Sequence, residues 1–380
     1  MTDLAVIENA TLVLPDRVER GWLAVAAGRI VEIGQGRAPE RGLDLKGDHL
    51  LPGLVELHTD HLESHYAPRP KVRWHPLGAV LAYDAQIAAS GITTVFDSLR
   101  AGVDIDGGGL GAELMDLAGA IDEARCQELF RADHCTHLRC EIPSPDVVET
   151  VQAFVARFPV GLISLMDHTP GQRQFRDLAK YFVYYGGKTG KDRDEIDRAV
   201  AEKQRLNGER SAMNRPALVA LARDRAIPLA SHDDTTLDEV EQSAAEGAVL
   251  AEFPTTVEAA AASRGKGLTV MMGAPNLIRG GSHSGNVAAE TLAREGMLDI
   301  LSSDYVPASL LMAAFDLPRR VPGIDLSQAV ATVTLNPAKA TGLDDRGALR
   351  PGLRADLVRV QVAGEVPVVR QVWRQGRPVA

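Results

Sequence analysis

Eight short apolar runs, most of them closing on polar or charged residues, recur through the middle of this 380-residue chain. They are LVELHTD (54–60), ITTVFD (92–97), THLRCE (136–141), GLISLMDH (161–168), AIPLASHDD (226–234), AVLAEFP (248–254), LTVMMGAP (268–275) and DILSSD (299–304). Strands of this kind that alternate with helices predict parallel strands buried on both faces. Eight of them favour an α/β fold, a (β/α)8 TIM-like barrel, which needs about 250 residues. A doubly wound open sheet is the alternative, and it would more often carry a glycine-rich loop after its first strand.

Helical spacing is found between these runs. It predicts helices over 111–130, 192–206 and 216–225. Asn214 and Pro216 suggest that the last of these begins at residue 216, with an N-cap and a proline in its first turn. The run SQAVATVTLNPAKATGL predicts one or two further helices at the end of the barrel.

The two ends of the chain are β-rich and cannot each bury a core alone. TLVL (11–14) and WLAVAAGRIVEIG (22–34) precede the barrel, and DLVRVQV (356–362) and VPVVRQVWRQGRPV (366–379) follow it. Pairing between them would solve the problem and bring the termini together. We therefore predict a small β-sandwich domain from 1–53 plus 346–380, and a (β/α)8 barrel over 54–345.

The charge balance narrows the class of partner. There are 51 acidic and 41 basic side chains, which give a formal charge of −10, and this argues against a general nucleic-acid binder. No window approaches the roughly 18 apolar residues that a membrane span requires. Cys126, Cys135 and Cys140 are too few and too irregularly spaced for a disulfide framework. We expect a cytoplasmic protein with no nucleic-acid or membrane partner, and leave a homo-oligomer open.

Imidazoles and carboxylates lie at the ends of several predicted strands. The set is His58, Asp60, Glu141, His168, His232 and Asp304. In a parallel barrel all carboxyl ends of the strands face one mouth, and these donor types suit zinc, manganese or iron. A lone histidine at a strand end is more often an ordinary polar residue, but six donors at one mouth predict metal binding. Six donors are more than one tetrahedral ion uses. We therefore expect two divalent ions that share a bridging carboxylate, for which Glu141 is our choice.

A divalent ion lowers the pKa of bound water and polarises a carbonyl or phosphoryl oxygen. Asp304, at the end of the last strand, is the candidate to take the proton from that water. The sequence therefore predicts metal-assisted hydrolysis.

A second group of residues has the character of a phosphate-binding set. Cations and glycine-freed amides follow several strands, and the candidates for binding substrate are Arg69, Lys71, Arg173, Lys188, Arg279, His283 and Asn286. The stretch 68–73 has a simpler interpretation as a solvated face. NLIRGGSHSGN (276–286) directly follows a strand, which favours a binding role, and His283 could bind or protonate a phosphate.

The chain resembles the amidohydrolase superfamily in its entry motif LPGLVELHTDHLE, with Asp60 where most members have a second histidine. More narrowly it resembles the α-D-ribose 1-methylphosphonate 5-triphosphate diphosphatase family of the carbon–phosphorus lyase pathway. The motifs are HTDHLESHYAPRPKV, GITTVFDSL, HLRCE, SLMDHTPGQRQF, ASHDD, AEFPTTVEAA, MGAPNLIRGGSHSGNVAA and ILSSDYVPASLL. The resemblance implies hydrolysis of a phosphorylated sugar, from the 5-triphosphate to the 5-phosphate and pyrophosphate, with metal on the six strand-end residues.

One departure from the superfamily concerns strand order. The superfamily commonly takes its middle ligands from strands four to six, whereas Glu141, His168 and His232 end the third, fourth and fifth runs. Either this family uses a third-strand glutamate, or a strand between 177 and 225 has been missed.

Two other classes of function stay open. One is a generic amidohydrolase that acts on a C–N bond, such as a deacetylase or cyclic amidase, which leaves the predicted phosphate-binding cations unexplained. The other is a non-catalytic scaffold that kept the fold, whose expected signature is lost ligands.

An anionic substrate is compatible with the negative net charge of the chain, because metal ions would neutralise Asp60, Glu141 and Asp304 locally.

Overall fold

The computed structural model describes residues 6–103, 113–169, 171, 173, 193–282 and 285–380. The described strands are, in chain order, β1 (Val6–Val13), β2 (Val18–Ala26), β3 (Arg29–Gln35), β4 (Leu43–Asp44), β5 (His49–Pro52), β6 (Leu54–Thr59), β7 (Ile92–Ala101), β8 (Asp133–Glu141), β9 (Leu162–Met166), β10 (Leu229–His232), β11 (Ala248–Glu252), β12 (Thr269–Gly273), β13 (Ile300–Ser302), β14 (Leu357–Ala363), β15 (Val366–Arg374) and β16 (Arg377–Pro378). They form two separate sheets.

The first sheet is built from both ends of the chain. Its strands lie in the order β16-β15-β14-β5-β1-β2-β3, with β4 beside β1. The antiparallel pair of β5 and β14 joins the two ends, with Leu357 opposite Pro52. Leu12, Leu23 and Trp373 are among the buried side chains of its core. The predicted two-ended β domain is therefore confirmed, while its limits at residues 53 and 346 stay a prediction.

The second sheet is the barrel. Strands β6 to β13 lie side by side in sequence order and pair in parallel. A parallel bridge between Thr59 and Asp304 brings the last strand back to the first. The buried Glu56 carboxylate fastens this seam, since it accepts hydrogen bonds from the backbone N–H groups of His58 and Ser303 at 2.7 and 2.6 Å. Each of the eight predicted runs overlaps one of these strands, although β7 and β8 extend beyond their runs, and the barrel is confirmed.

The barrel interior below the mouth is apolar. Val55, Leu57, Phe96, Leu162 and Met271 are buried together there. Removal of apolar surface from water contributes about 25 cal/mol per Å² to the free energy of folding. This buried layer therefore stabilises the packing of the strands against one another. It gives the polar strand ends a rigid base.

The described helices pack outside the barrel or lead into its mouth. They are α1 (His61–Tyr66), α2 (Pro76–Ala89), α3 (Leu114–Cys126), α4 (Val147–Val155), α5 (Arg193–Asp224), α6 (Leu237–Ala245), α7 (Val257–Gly265), α8 (Ala274–Arg279), α9 (Ala289–Arg294), α10 (Ser309–Arg320), α11 (Leu326–Ala331) and α12 (Leu335–Ala340). Within these residues no helix combines the length and the apolar character that crossing a bilayer requires.

The predicted helix start at Pro216 is wrong, because α5 runs through it without a break. Asn214 is not a cap: its side-chain amide donates to the carbonyls of Ile142 and Ser144 at 2.8 and 2.9 Å. A proline inside a helix costs about 3 kcal/mol. Burial of the following turn, with Leu218 fully enclosed in the outer core, offsets that cost.

The alternative of a missed strand is also settled for the described residues. Strand β9 pairs directly with β10, so nothing is inserted between them in the barrel. The third, fourth and fifth barrel strands are therefore those that the sequence predicted.

Candidate active site

Five of the six predicted metal ligands come together at the carboxyl ends of the strands. Among the described residues there are three sets of three side chains, and within each set the donor atoms lie within 4.8 Å of one another. The sets are His58, His232 and Glu252; His168, His232 and Asp233; and His58, Asp60 and Asp304. His58 and His232 each belong to two sets, so the sets form one continuous cluster, which we call the strand-end cluster.

Glu141, the predicted bridging ligand, belongs to none of these three sets. Its carboxylate accepts from Nδ1 and from the backbone N–H of His168 at 2.6 and 3.0 Å, and from Arg100 Nη2 at 2.9 Å. Burial alone would raise its pKa, but His168 and Arg100 outweigh burial and lower it well below the usual range. The carboxylate is thus ionised beside His168, and its bridging of two ions stays a prediction.

Glu252 is the main residue that sequence reasoning missed. It ends β11, is fully buried, and has Oε1 3.4 Å from Nδ1 of His58 and Oε2 2.9 Å from Nδ1 of His232. A signal was present, because Glu252 is the one charged residue in the run AVLAEFP and sits at its carboxyl end. The same pattern identified Glu141.

His137 tests whether the cluster fits a cation. Its Nδ1 lies 2.9 Å from the Leu57 carbonyl oxygen and therefore donates to it, and burial lowers the pKa of the ring to about 3. The neutral ring then presents a lone pair at Nε2, which is buried without a hydrogen-bond partner and lies 3.6 Å from Oε1 of Glu252. Two acceptors that face each other away from water require positive charge nearby. The donor set fits divalent metal binding.

Asp304 is held in an unusual backbone conformation, with φ of +54°. Its carbonyl accepts from Thr59 Oγ1 at 2.8 Å and from the Asp60 N–H at 3.1 Å, and its own N–H donates to His58 at 3.1 Å. These bonds fix a conformation that non-glycine residues seldom adopt. Burial, reinforced by the nearby Asp60 carboxylate, raises the pKa of Asp304 to about 6. A carboxyl group with this pKa can exchange a proton near neutral pH, and the predicted role of Asp304 in catalysis stays a prediction.

Two arginines on the barrel strands pair with the predicted ligands and were also missed. Arg139 Nη1 lies 2.5 Å from Oδ1 of Asp60, and Arg100 pairs with Glu141. Both stand inside strands, whereas the predicted phosphate-binding cations were sought in segments that follow a strand. Both bring positive charge to the inner wall of the barrel.

The predicted substrate-binding residues lie in several settings. Arg173 is buried, and its Nη1 donates to the His232 carbonyl at 2.8 Å and to Asp234 at 2.6 Å, so its guanidinium supports the loop after β10. The side chains of Arg69, Lys71 and Arg279 are exposed, and that of Asn286 is half-buried. Lys188 and His283 lie outside the described residues. Substrate contact by any of these seven stays a prediction.

Comparison with known protein sequences assigns the chain to a family. A sequence model of the amidohydrolase family matches residues 206–380. The chain is 48% identical to the α-D-ribose 1-methylphosphonate 5-triphosphate diphosphatase of Escherichia coli (strain K12), over 98% of this chain and 100% of that protein. The chain belongs to the α-D-ribose 1-methylphosphonate 5-triphosphate diphosphatase family of amidohydrolases.

More distant similarities extend beyond this diphosphatase family. An adenine deaminase of Nitratidesulfovibrio vulgaris (strain Hildenborough) is 26% identical over 99% of this chain and 57% of its own length. The solved N-acetyl-D-glucosamine-6-phosphate deacetylase of Mycobacterium smegmatis is 19% identical, with a TM-score of 0.64 over 99% of this chain and 100% of that chain. That likeness shows the fold alone. Membership of the diphosphatase family makes the chain a hydrolase.

Proposed function

We propose that this chain hydrolyses α-D-ribose 1-methylphosphonate 5-triphosphate to the 5-phosphate and pyrophosphate. The observation that carries this proposal is the 48% identity to the Escherichia coli diphosphatase over nearly the full length of both proteins. The strand-end cluster supports it, because phosphoric anhydride hydrolysis needs charge stabilisation more than covalent chemistry. The proposed place of action is the cytoplasm, in keeping with three free cysteines.

The cluster would hold two divalent ions in this proposal. His58, Asp60 and Asp304 offer one set of donors, and His168, His232 and Asp233 offer another. A divalent ion bound there supplies charge stabilisation and makes water easier to deprotonate. Zinc, manganese and iron all suit these nitrogen and oxygen donors.

The protein's own part in the reaction is to orient groups and to move a proton. The Asp304 carboxylate accepts the proton of the attacking water, whose oxygen forms a new bond to phosphorus. The anhydride bond between the first and second phosphates breaks, and pyrophosphate leaves with the electron pair. Glu252 keeps His58 and His232 turned toward the cluster through its two carboxylate oxygens.

The predicted binding residues complete the proposal. The exposed side chains of Arg69, Lys71 and Arg279 would meet the charged substrate as it enters, and Asn286 would contact a phosphate. Lys188 and His283, which lie outside the described residues, are proposed to bind substrate as well. Attraction by such residues falls as salt screens it.

The test is pyrophosphate release from the ribose phosphonate triphosphate, measured with and without a chelator. We expect rapid release that the chelator abolishes and that added manganese or zinc restores. Equal rates in both conditions would exclude metal-assisted hydrolysis.

A substrate panel separates this function from hydrolysis of a C–N bond. It contains the phosphonate triphosphate, an ordinary nucleoside triphosphate, and an N-acetylated amino sugar. Turnover of the amide alone would contradict the proposal and favour the deacetylase class.

A further inference from the structure

Arg139 and Arg100 lie at the same height on neighbouring barrel strands. Arg139 is in β8, Arg100 is in β7, and the two residues are register partners. Adjacent strands are about 4.8 Å apart, and register partners on them face the same side of the sheet. Arg139 also shares a face with Glu141, two residues farther along β8. Both guanidinium groups therefore project from the inner wall at the mouth.

Arg139 has donor capacity beyond the contacts that the described residues give it. Its Nη1 donates to Asp60, and its Nε donates to the Met166 thioether at 3.1 Å. A guanidinium carries five N–H donors in a planar fork, and a thioether is a weak acceptor. One carboxylate oxygen and one sulfur therefore leave room for an oxyanion with several oxygens.

The carboxylate that holds Arg139 is also one that a metal would use. Asp60 shares a donor set with His58 and Asp304. An ion held by that set would take up the negative charge that now neutralises Arg139. The guanidinium would then lie beside a cation, an arrangement that favours an incoming anion.

We propose that Arg139 and Arg100 form a phosphate-binding wall, which binds phosphoryl oxygens of the triphosphate. The proposal rests on the proposed function and names two residues that hold its substrate. Arginine forks match phosphate oxygens in pairs. The wall lies inside the barrel beside the strand-end cluster, whereas Arg69, Lys71 and Arg279 are exposed.

A positioning role for Arg139 is the competing interpretation. In that case Arg139 would only orient Asp60 for metal binding. Its removal would then lower the amount of metal retained and leave the phosphate affinity of metal-loaded protein unchanged. The two roles differ in a binding measurement that needs no turnover.

The experiment is a calorimetric titration of manganese-loaded protein with inorganic phosphate. Because phosphate is itself a weak chelator, the metal content is measured by elemental analysis before and after each titration. The variants are Arg139→Gln, Arg139→Lys and Arg100→Gln. The matched control is Arg264→Gln, because Arg264 pairs with Asp299 at 2.7 Å on a half-exposed outer surface.

We expect the Kd for phosphate to rise about tenfold or more in Arg139→Gln and Arg100→Gln, since each loses a charge-assisted bond. Arg139→Lys should lose less, and Arg264→Gln should match the unchanged protein. Metal content should be the same in all. Unchanged phosphate affinity in Arg139→Gln, or a loss that follows loss of metal, overturns the proposal.

Two features keep the test decisive. If Arg139→Gln fails to fold, Arg139→Lys keeps the charge but lacks the planar fork, and unchanged phosphate affinity in it would contradict fork binding. The binding result is also independent of catalysis. Arg139-dependent phosphate binding without pyrophosphate release would exclude the proposed function and support the phosphate-binding wall. Pyrophosphate release without Arg139-dependent phosphate binding would exclude the wall alone.

Discussion

A buried histidine on the outer side of the barrel should make the free energy of unfolding fall as the pH becomes alkaline. His134 lies between two carboxylates, with Nδ1 3.0 Å from Asp97 and Nε2 3.3 Å from Asp84. Both ring nitrogens face acceptors, so the ring is doubly protonated. Asp84 also accepts from the backbone N–H groups of Arg131 and Ala132. The cluster therefore joins α2, β7 and the start of β8.

The magnitude follows from the pKa. Burial alone would lower the pKa of His134, but the carboxylates of Asp97 and Asp84 outweigh burial and raise it from 6.5 to about 9. At 1.36 kcal/mol for each pH unit, this difference corresponds to about 3 kcal/mol of folding free energy. Because the pKa is higher in the folded protein, the contribution is complete below pH 6.5 and is lost as pH rises through 9.

The measurement is urea unfolding, followed by circular dichroism from about pH 6 to about pH 10. We expect the unchanged protein to lose about 3 kcal/mol more over this range than His134→Gln, which cannot titrate. His75→Gln is the matched control, since His75 is an exposed histidine at the start of α2. It should keep the pH dependence of the unchanged protein. Parallel curves for the unchanged protein and His134→Gln would refute the reasoning.

Three further variants test the site and the contact between the two sheets. Asp304→Asn should lower turnover by about 10²–10⁴-fold while elemental analysis still finds metal, because it removes the proton acceptor; turnover like that of the unchanged protein would exclude this role. Glu252→Gln should weaken metal retention by about 10–100-fold in a chelator competition, since His58 and His232 lose a charged partner; unchanged retention would exclude it. Asp133→Asn should lower the free energy of unfolding by about 3 kcal/mol, because Asp133 pairs with Arg346, Arg354 and Arg374 at 2.8, 2.6 and 3.3 Å. Chemical denaturation measures this loss, and a change near zero would mean that solvent already satisfies these arginines.

The strands could be predicted because each barrel strand is buried on both faces. That burial selects a continuous apolar run, such as LISLM in β9, and the polar residue after it marks the mouth. The pattern located His58, Asp60 and His232 for the same reason. Glu252 carried the same signal but was passed over.

Other features depend on contacts that no local pattern encodes. Pro216 is the usual mark of a helix start, yet tertiary packing carries α5 through it. The side chains of Arg139 and Arg100 alternate with apolar residues inside strands, a pattern that is also typical of a solvent-exposed polar face. The sequence pattern alone does not show that this face lines the barrel interior. Cations predicted from the segments that follow strands are therefore mainly exposed among the described residues.

The pairing of β5 with β14 has a consequence for the order of folding. The two strands are hundreds of residues apart in sequence, so the edge of β5 has no partner until the whole barrel has been synthesised. Closing so long a loop early is entropically costly. The barrel strands pair with sequence neighbours and can assemble first. During synthesis the unpaired edge of β5 is a template for pairing with other chains, and β14, which covers it, is synthesised only after the barrel strands.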